Sequence, residues 1–160
     1  MFQISRRADY AVRIMIVLGH QGQDTIIPAH EICAKTDVPK PFLHKISADL
    51  IRAGLVNSQA GRAGGFSLVQ PATEVNLRQI LEAVEGPLCV NVCLTRPGEC
   101  PRDRFCPAHG FWGRLQTSII GELEAATLAD LVAEGRLLQK RPRPEVIPYI
   151  YPVEQIGPAA

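Results

Sequence analysis

Apolar residues recur at helical spacing along the N-terminal part of the chain. Behind Ser5, which suits a helix N-cap, Tyr10, Ala11, Ile14, Met15, Val17 and Leu18 trace one face until Gly19 and Gly22 stop it. Pro28, with Glu31 in the first turn, opens a short second helix to about Thr36. After the break Asp37-Val38-Pro39, a third helix is predicted from about Lys40 to Ala53. Leu43, Ile46 and Leu50 face inward, and Gly54-Leu55 reads as a glycine cap with its hydrophobic contact. Two short helices joined by so brief a break form a helix-turn-helix pattern.

The period then changes. Val56-Asn57-Ser58-Gln59 and Phe66-Ser67-Leu68-Val69 have strand character and flank Ala60-Gly61-Arg62-Ala63-Gly64-Gly65, which predicts a hairpin with a glycine-rich, arginine-bearing tip. Asn76, with Gln79 three residues on, starts a helix that runs to Glu85 and closes at Gly86-Pro87. From Leu88 to about Pro107 no apolar period survives, and this stretch holds four of the five cysteines. A loop of that length inside a compact chain is expected to be functional. Trp112, Leu115, Ile119, Leu123 and Ala126 then trace one stripe of a long helix, and Thr127 with Asp130 caps another. Such a long helix has too little to pack on in a monomer, so a homodimer interface is expected on its face. Residues 139–160 hold five prolines and read as an extended or flexible tail.

The fold class that follows is mainly α with a small β-hairpin wing, a winged helix-turn-helix domain plus a long dimerisation helix. The chain divides into a winged-helix domain over 1–86, a cysteine-rich loop over 87–108, dimerisation helices over 109–138 and the tail over 139–160.

Composition sharpens this. With 160 residues, 46% of them hydrophobic, the chain can build one sizeable core. It has no apolar run of membrane-spanning length and no signal-peptide pattern behind Met1, so a cytoplasmic protein without membrane contact is expected. The net charge of +1 hides an asymmetry, since residues 1–70 carry eight Lys/Arg against five Asp/Glu. That tilt fits a reader of duplex DNA with a few placed contacts better than a polycation. In the predicted recognition helix the N-terminal residues Lys40, Pro41, Phe42, His44 and Lys45 lie nearest base edges, and Arg62 on the wing can reach a minor groove. One such helix per subunit obliges the operator to have two-fold symmetry. No nucleophile–base pair or phosphate-cradling glycine loop stands out, so catalysis is not expected.

Five cysteines without an export signal argue for reduced thiols rather than a disulfide framework. Six residues separate Cys93 from Cys100 and five separate Cys100 from Cys106, wider than the tight pairs of structural zinc sites and better suited to an iron–sulfur cluster. His109, three residues beyond Cys106, and Asp9 on the first helix, if another subunit brings it over, are candidates for a fourth ligand. Cys89 reads as a spare thiol and Cys33 as core. The alternatives are a winged-helix regulator that uses these cysteines as a thiol switch or zinc site, and a small iron–sulfur electron-transfer protein.

The opening Ser5-Arg6-Arg7-Ala8-Asp9-Tyr10-Ala11-Val12-Arg13, the wing Gly61-Arg62-Ala63-Gly64-Gly65-Phe66, the three-cysteine loop and Thr127-Leu128-Ala129-Asp130-Leu131-Val132 together resemble the Rrf-two family of bacterial winged-helix regulators, over about residues 1–135. The resemblance implies a DNA-binding homodimer crossed by its long helices, with a cluster loop beside the DNA-reading domain. Cys106-Pro107-Ala108-His109-Gly110-Phe111-Trp112 is similar to members in which the histidine completes a 2Fe-2S site. Asp9-Tyr10 is similar to members in which an aspartate from the other subunit completes a 4Fe-4S site, the slightly favoured choice. The implied signal is redox state, nitric oxide, or iron and iron–sulfur status.

Overall fold

The computed structural model describes residues 3–141. Six α-helices and one hairpin follow in chain order: α1 (Arg6–Gln21), α2 (Ala29–Thr36), α3 (Lys40–Arg52), β1 (Val56–Gln59), β2 (Gly65–Leu68), α4 (Leu77–Glu85), α5 (Pro107–Ala125) and α6 (Leu128–Lys140). Gln139 and Lys140, at the start of the expected tail, still belong to α6; the rest of it beyond Arg141 lies outside the described residues.

Helix α1 is the hub, packed against α2, α3, α4 and α6. Its N-terminus is closed as the sequence suggests, with the Ser5 hydroxyl accepting from the Ala8 N–H at 3.1 Å and donating to Glu85 at the end of α4. Ala11, Ile14, Met15 and Leu18 form the middle of the core with Ile32, Leu43, Ile46, Leu50 and Ile80. The helix does not stop at Gly19 but continues to Gln21, ending where Gly22 takes a φ of 90°. Gly19 is a packing position instead, because a Cβ there would run into the side chain of Val132 on α6.

The helix-turn-helix is α2 and α3. Between them Asp37 adopts a left-handed φ of 57° and donates its N–H to the Cys33 carbonyl, while Val38 is buried. The first turn of α3 has no side-chain cap; Pro39 and Pro41 set its direction. Strands β1 and β2 pair antiparallel from Val56 opposite Leu68 to Gln59 opposite Gly65. Ile27, ahead of α2, adds a bridge to Phe66, with both N–H groups donating across at 2.8 and 2.9 Å. Glycine is needed at Gly65 because a Cβ would strike the Ile27 carbonyl.

Two capping boxes, Asn76 with Gln79 and Thr127 with Asp130, start α4 and α6 and lie side by side on an isolated antiparallel bridge. Hydrogen bonds from Leu77 to Ala126 and from Leu128 to Val75 join the two strand-like segments. Helix α6 therefore folds back on its own chain, burying Leu128 and Val132 against α1. Of the two helices grouped as dimerisation helices, only α5 has no buried residue, although Phe111, Trp112, Leu115, Ile119, Ile120 and Leu123 lie along it.

Candidate nucleic-acid interface and metal centre

Burial of Leu43, Ile46 and Leu50 fixes how α3 is rolled, and so leaves Lys40, Pro41, Phe42, His44 and Lys45 exposed on one side. The salt bridge that Arg7 makes to the buried carboxylate of Asp49 ties α3 to α1 and holds that roll, and Arg52 pairs with the same carboxylate within α3. Two of the exposed residues are already partnered. Phe42 meets Tyr10 of α1 edge to face at 5.8 Å between ring centres, and His44 leans on Phe66 of β2 at 6.4 Å. These contacts brace the start of α3 against α1 on one side and the wing on the other. Arg62 is exposed at the hairpin tip beside Gly61, whose φ of 107° turns the chain there.

The cysteine loop is ordered by local hydrogen bonds and by α5. A 3₁₀ turn, Val92–Leu94, starts at Asn91, whose side chain accepts from the Cys93 N–H. The Val90 N–H donates to Gln116 of α5 at 3.0 Å. Cys106 is the N-cap of α5, and Pro107 provides the helix with its first residue.

This arrangement gathers Cys93, Cys100, Cys106 and His109 around one cavity of about 350 Å³, whose wall also includes Asp103, Trp112 and the charged pair Arg96 and Glu99. Ligand atoms of Cys93, Asp103 and His109 all lie within 4.8 Å of one another. The Nδ1 atom of His109 is buried without a hydrogen-bond partner, 3.9 Å from an Asp103 carboxylate oxygen. Burial pushes the Cys93 thiol above its ordinary range, and Asp103, Cys100 and Cys106 push it the same way. Three thiols and an orphaned imidazole nitrogen make four donors, which fit an iron–sulfur cluster in softness and number, and the Asp103 carboxylate stands beside them.

The other sequence candidates lie elsewhere. Asp9 pairs with Arg13 at 2.8 Å and lines a cleft with Leu77, Leu81, Leu123 and Leu131, away from the cysteines of its own chain. The Cys89 thiol turns to the Asn91 carbonyl at 2.9 Å and lines a cleft with Ile119 and Leu123, outside the cysteine cavity. Cys33 is half-buried against the core. Sequence reasoning missed Asp103; its position midway between Cys100 and Cys106 was the available signal.

The profile of a family described as Rrf2, iron-dependent transcriptional regulator, matches residues 4–134. The chain belongs to the Rrf2 family of transcriptional regulators. A helix-turn-helix-type transcriptional regulator of Mycobacterium tuberculosis is 35% identical over 84% of this chain and 83% of its own length. The regulator IscR of Photorhabdus laumondii is 27% identical over 85% of this chain and 82% of its own. Among solved structures, CymR, the global cysteine regulator of B. subtilis, has a TM-score of 0.68 at 27% identity and covers 84% of this chain and 98% of its own. The IscR of T. potens, at 24% identity, has the same fold with a TM-score of 0.69, covering 86% of this chain and 91% of its own. The fold is thus that of the Rrf2 winged-helix regulators, and the relatives are regulators rather than enzymes. Among the described residues no helix is long and apolar enough to cross a membrane.

Proposed function

We propose that this Rrf2-family regulator binds duplex DNA as a homodimer in the cytoplasm and senses redox state, nitric oxide or iron status through an iron–sulfur cluster in the cysteine cavity. The observation that carries the reading is the convergence of Cys93, Cys100, Cys106 and His109 on one cavity at the N-terminus of α5. Those three thiols and His109 would hold the cluster from a single subunit. A bound cluster supplies a charge and a set of labile ligand bonds that oxidants or nitric oxide change. Asp9 of the partner subunit is the alternative fourth ligand, because the Asp9 carboxylate is half-exposed on α1 and lines a cleft that holds no cysteine.

The chain's own residues provide the route to DNA. The Val90–Gln116 hydrogen bond ties the loop to α5, Arg78 of α4 pairs with Glu124 of α5 at 2.6 Å, and α4 packs on α1 and α3. A change in the loop therefore meets a continuous set of contacts ending at the recognition helix, which supports coupling between sensing and affinity. Lys40, His44, Lys45 and Arg62 would contact DNA in each half-site, with Pro41 and Phe42 shaping the turn.

The test is iron and acid-labile sulfide per monomer in anaerobically purified protein, with its visible spectrum. Both elements are expected, and Cys100→Ala should lose them. Full iron and sulfide in that variant refutes the site. The second reading, cysteines acting as thiols alone, rests on the same three free thiols; it is favoured if the wild type contains no sulfide.

A further inference from the structure

We propose that Cys93, Asp103 and His109 form a three-donor site within one subunit that takes a single divalent transition-metal cation when no cluster occupies the cavity. The inference shares its location with the cluster reading but needs neither sulfide nor a second subunit.

The backbone prepares Asp103 for this role. Its Oδ2 accepts from the Gly98 N–H at 2.8 Å, and Gly98 holds a φ of 90°, which a residue with a side chain rarely adopts. With Oδ2 anchored, Oδ1 is the oxygen that faces His109, at 3.9 Å from Nδ1. The carboxylate side chain is only 15% exposed. It thus shares the cavity with an unpartnered imidazole nitrogen and a thiol, while Arg96 on the same wall is paired with Glu99 at 3.6 Å. A carboxylate beside a thiolate is electrostatically unfavourable, and a cation between them reverses the sign of that term.

The donor chemistry selects the class of ion. One sulfur, one nitrogen and one oxygen suit zinc, ferrous iron or cobalt, whereas magnesium and calcium prefer oxygen alone. Cys100 and Cys106 line the same cavity outside the triad, so the ion binds through one thiolate and leaves a position open to solvent or an external ligand.

The test uses the full chain, stripped of iron and sulfide and kept reduced, titrated anaerobically with cobalt(II). One ion per monomer is expected, with thiolate-to-cobalt charge-transfer absorption. Asp103→Asn preserves an acceptor for the Gly98 N–H and should weaken affinity by about tenfold or more while keeping that absorption. Cys93→Ala should abolish the absorption, and Cys89→Ser, whose thiol lies outside the cavity, should leave it in place. X-ray absorption of the wild-type complex should count one sulfur. Three sulfur neighbours, or an Asp103→Asn variant with wild-type affinity, overturns the proposal. The sulfur count depends on no variant's folding. Iron and sulfide in the protein as isolated test the cluster separately, so either reading can fail alone.

Discussion

Arg62 stands at the tip of the wing with its guanidinium free to solvent, on a turn that Gly61 makes possible. Arg62→Ala should weaken operator binding by about 1–2 kcal/mol, roughly five- to thirtyfold, without changing stability. A titration at fixed salt that superimposes on the wild type would remove the wing from the interface. His20, at the end of α1, makes a different prediction. Burial first, then Arg136 and Lys35, hold its imidazole below the ordinary 6.5. The unfolded chain therefore binds this proton more readily than the native one. The stability contribution is complete above pH 6.5 and is lost as pH falls from there through the lower native value. Urea unfolding at stepped pH should show His20→Gln flattening the slope just below pH 6.5; an unchanged slope would assign it to other groups. At this scale the cysteine spacing and His109 were legible in the sequence. Asp103 was not, because its importance comes from a turn at Gly98 that aims it inward.

Single elements were read well where their signals are local. The Asn76 and Thr127 capping boxes, the Pro28 and Pro39 entries and the glycine stop after α4 each rest on neighbours a few residues apart. Asn76→Ala should cost about 1 kcal/mol, because the Asn76 side chain satisfies the Gln79 N–H and Gln79 returns a bond to the Asn76 N–H. Chemical denaturation monitored by circular dichroism measures this directly, and a loss below a few tenths would show that the adjoining bridge to Thr127 suffices. Gly19 shows the limit of local signals. It reads as a helix stop, yet tertiary packing of α6 against α1 gives it a partner and the helix runs on.

For the whole molecule the outstanding feature is α5, a helix of 19 residues with none buried. Leu123 stands between two apolar clefts, one lined by Val12, Leu77, Leu81 and Leu131 and the other by Ala8, Leu81, Leu88 and Ile119. A second copy of α5 is the occupant that the proposed homodimer requires. Leu123→Glu should shift the protein to monomers in sedimentation velocity and reduce operator affinity with it. If the variant remains dimeric and keeps wild-type circular dichroism, the interface lies elsewhere. Asp9 borders the first of these clefts, so dimer formation is also what would decide whether that carboxylate meets the cavity of the other subunit.

The sequence by itself determined the helix-turn-helix, the wing and the cysteine loop, because periodicity, caps and turn residues act over a few positions and need no distant partner. It also determined which thiols share a segment. Only the tertiary structure decided that α6 closes over α1 while α5 keeps no buried residue, and that Phe42 and His44 are braced by Tyr10 and Phe66. The same holds for the Asp103 carboxylate, which joins Cys93 and His109, whereas Cys89 turns away. Those outcomes depend on which surfaces meet once the core of α1, α3 and α4 has closed, a competition among contacts far apart in sequence that no local pattern encodes.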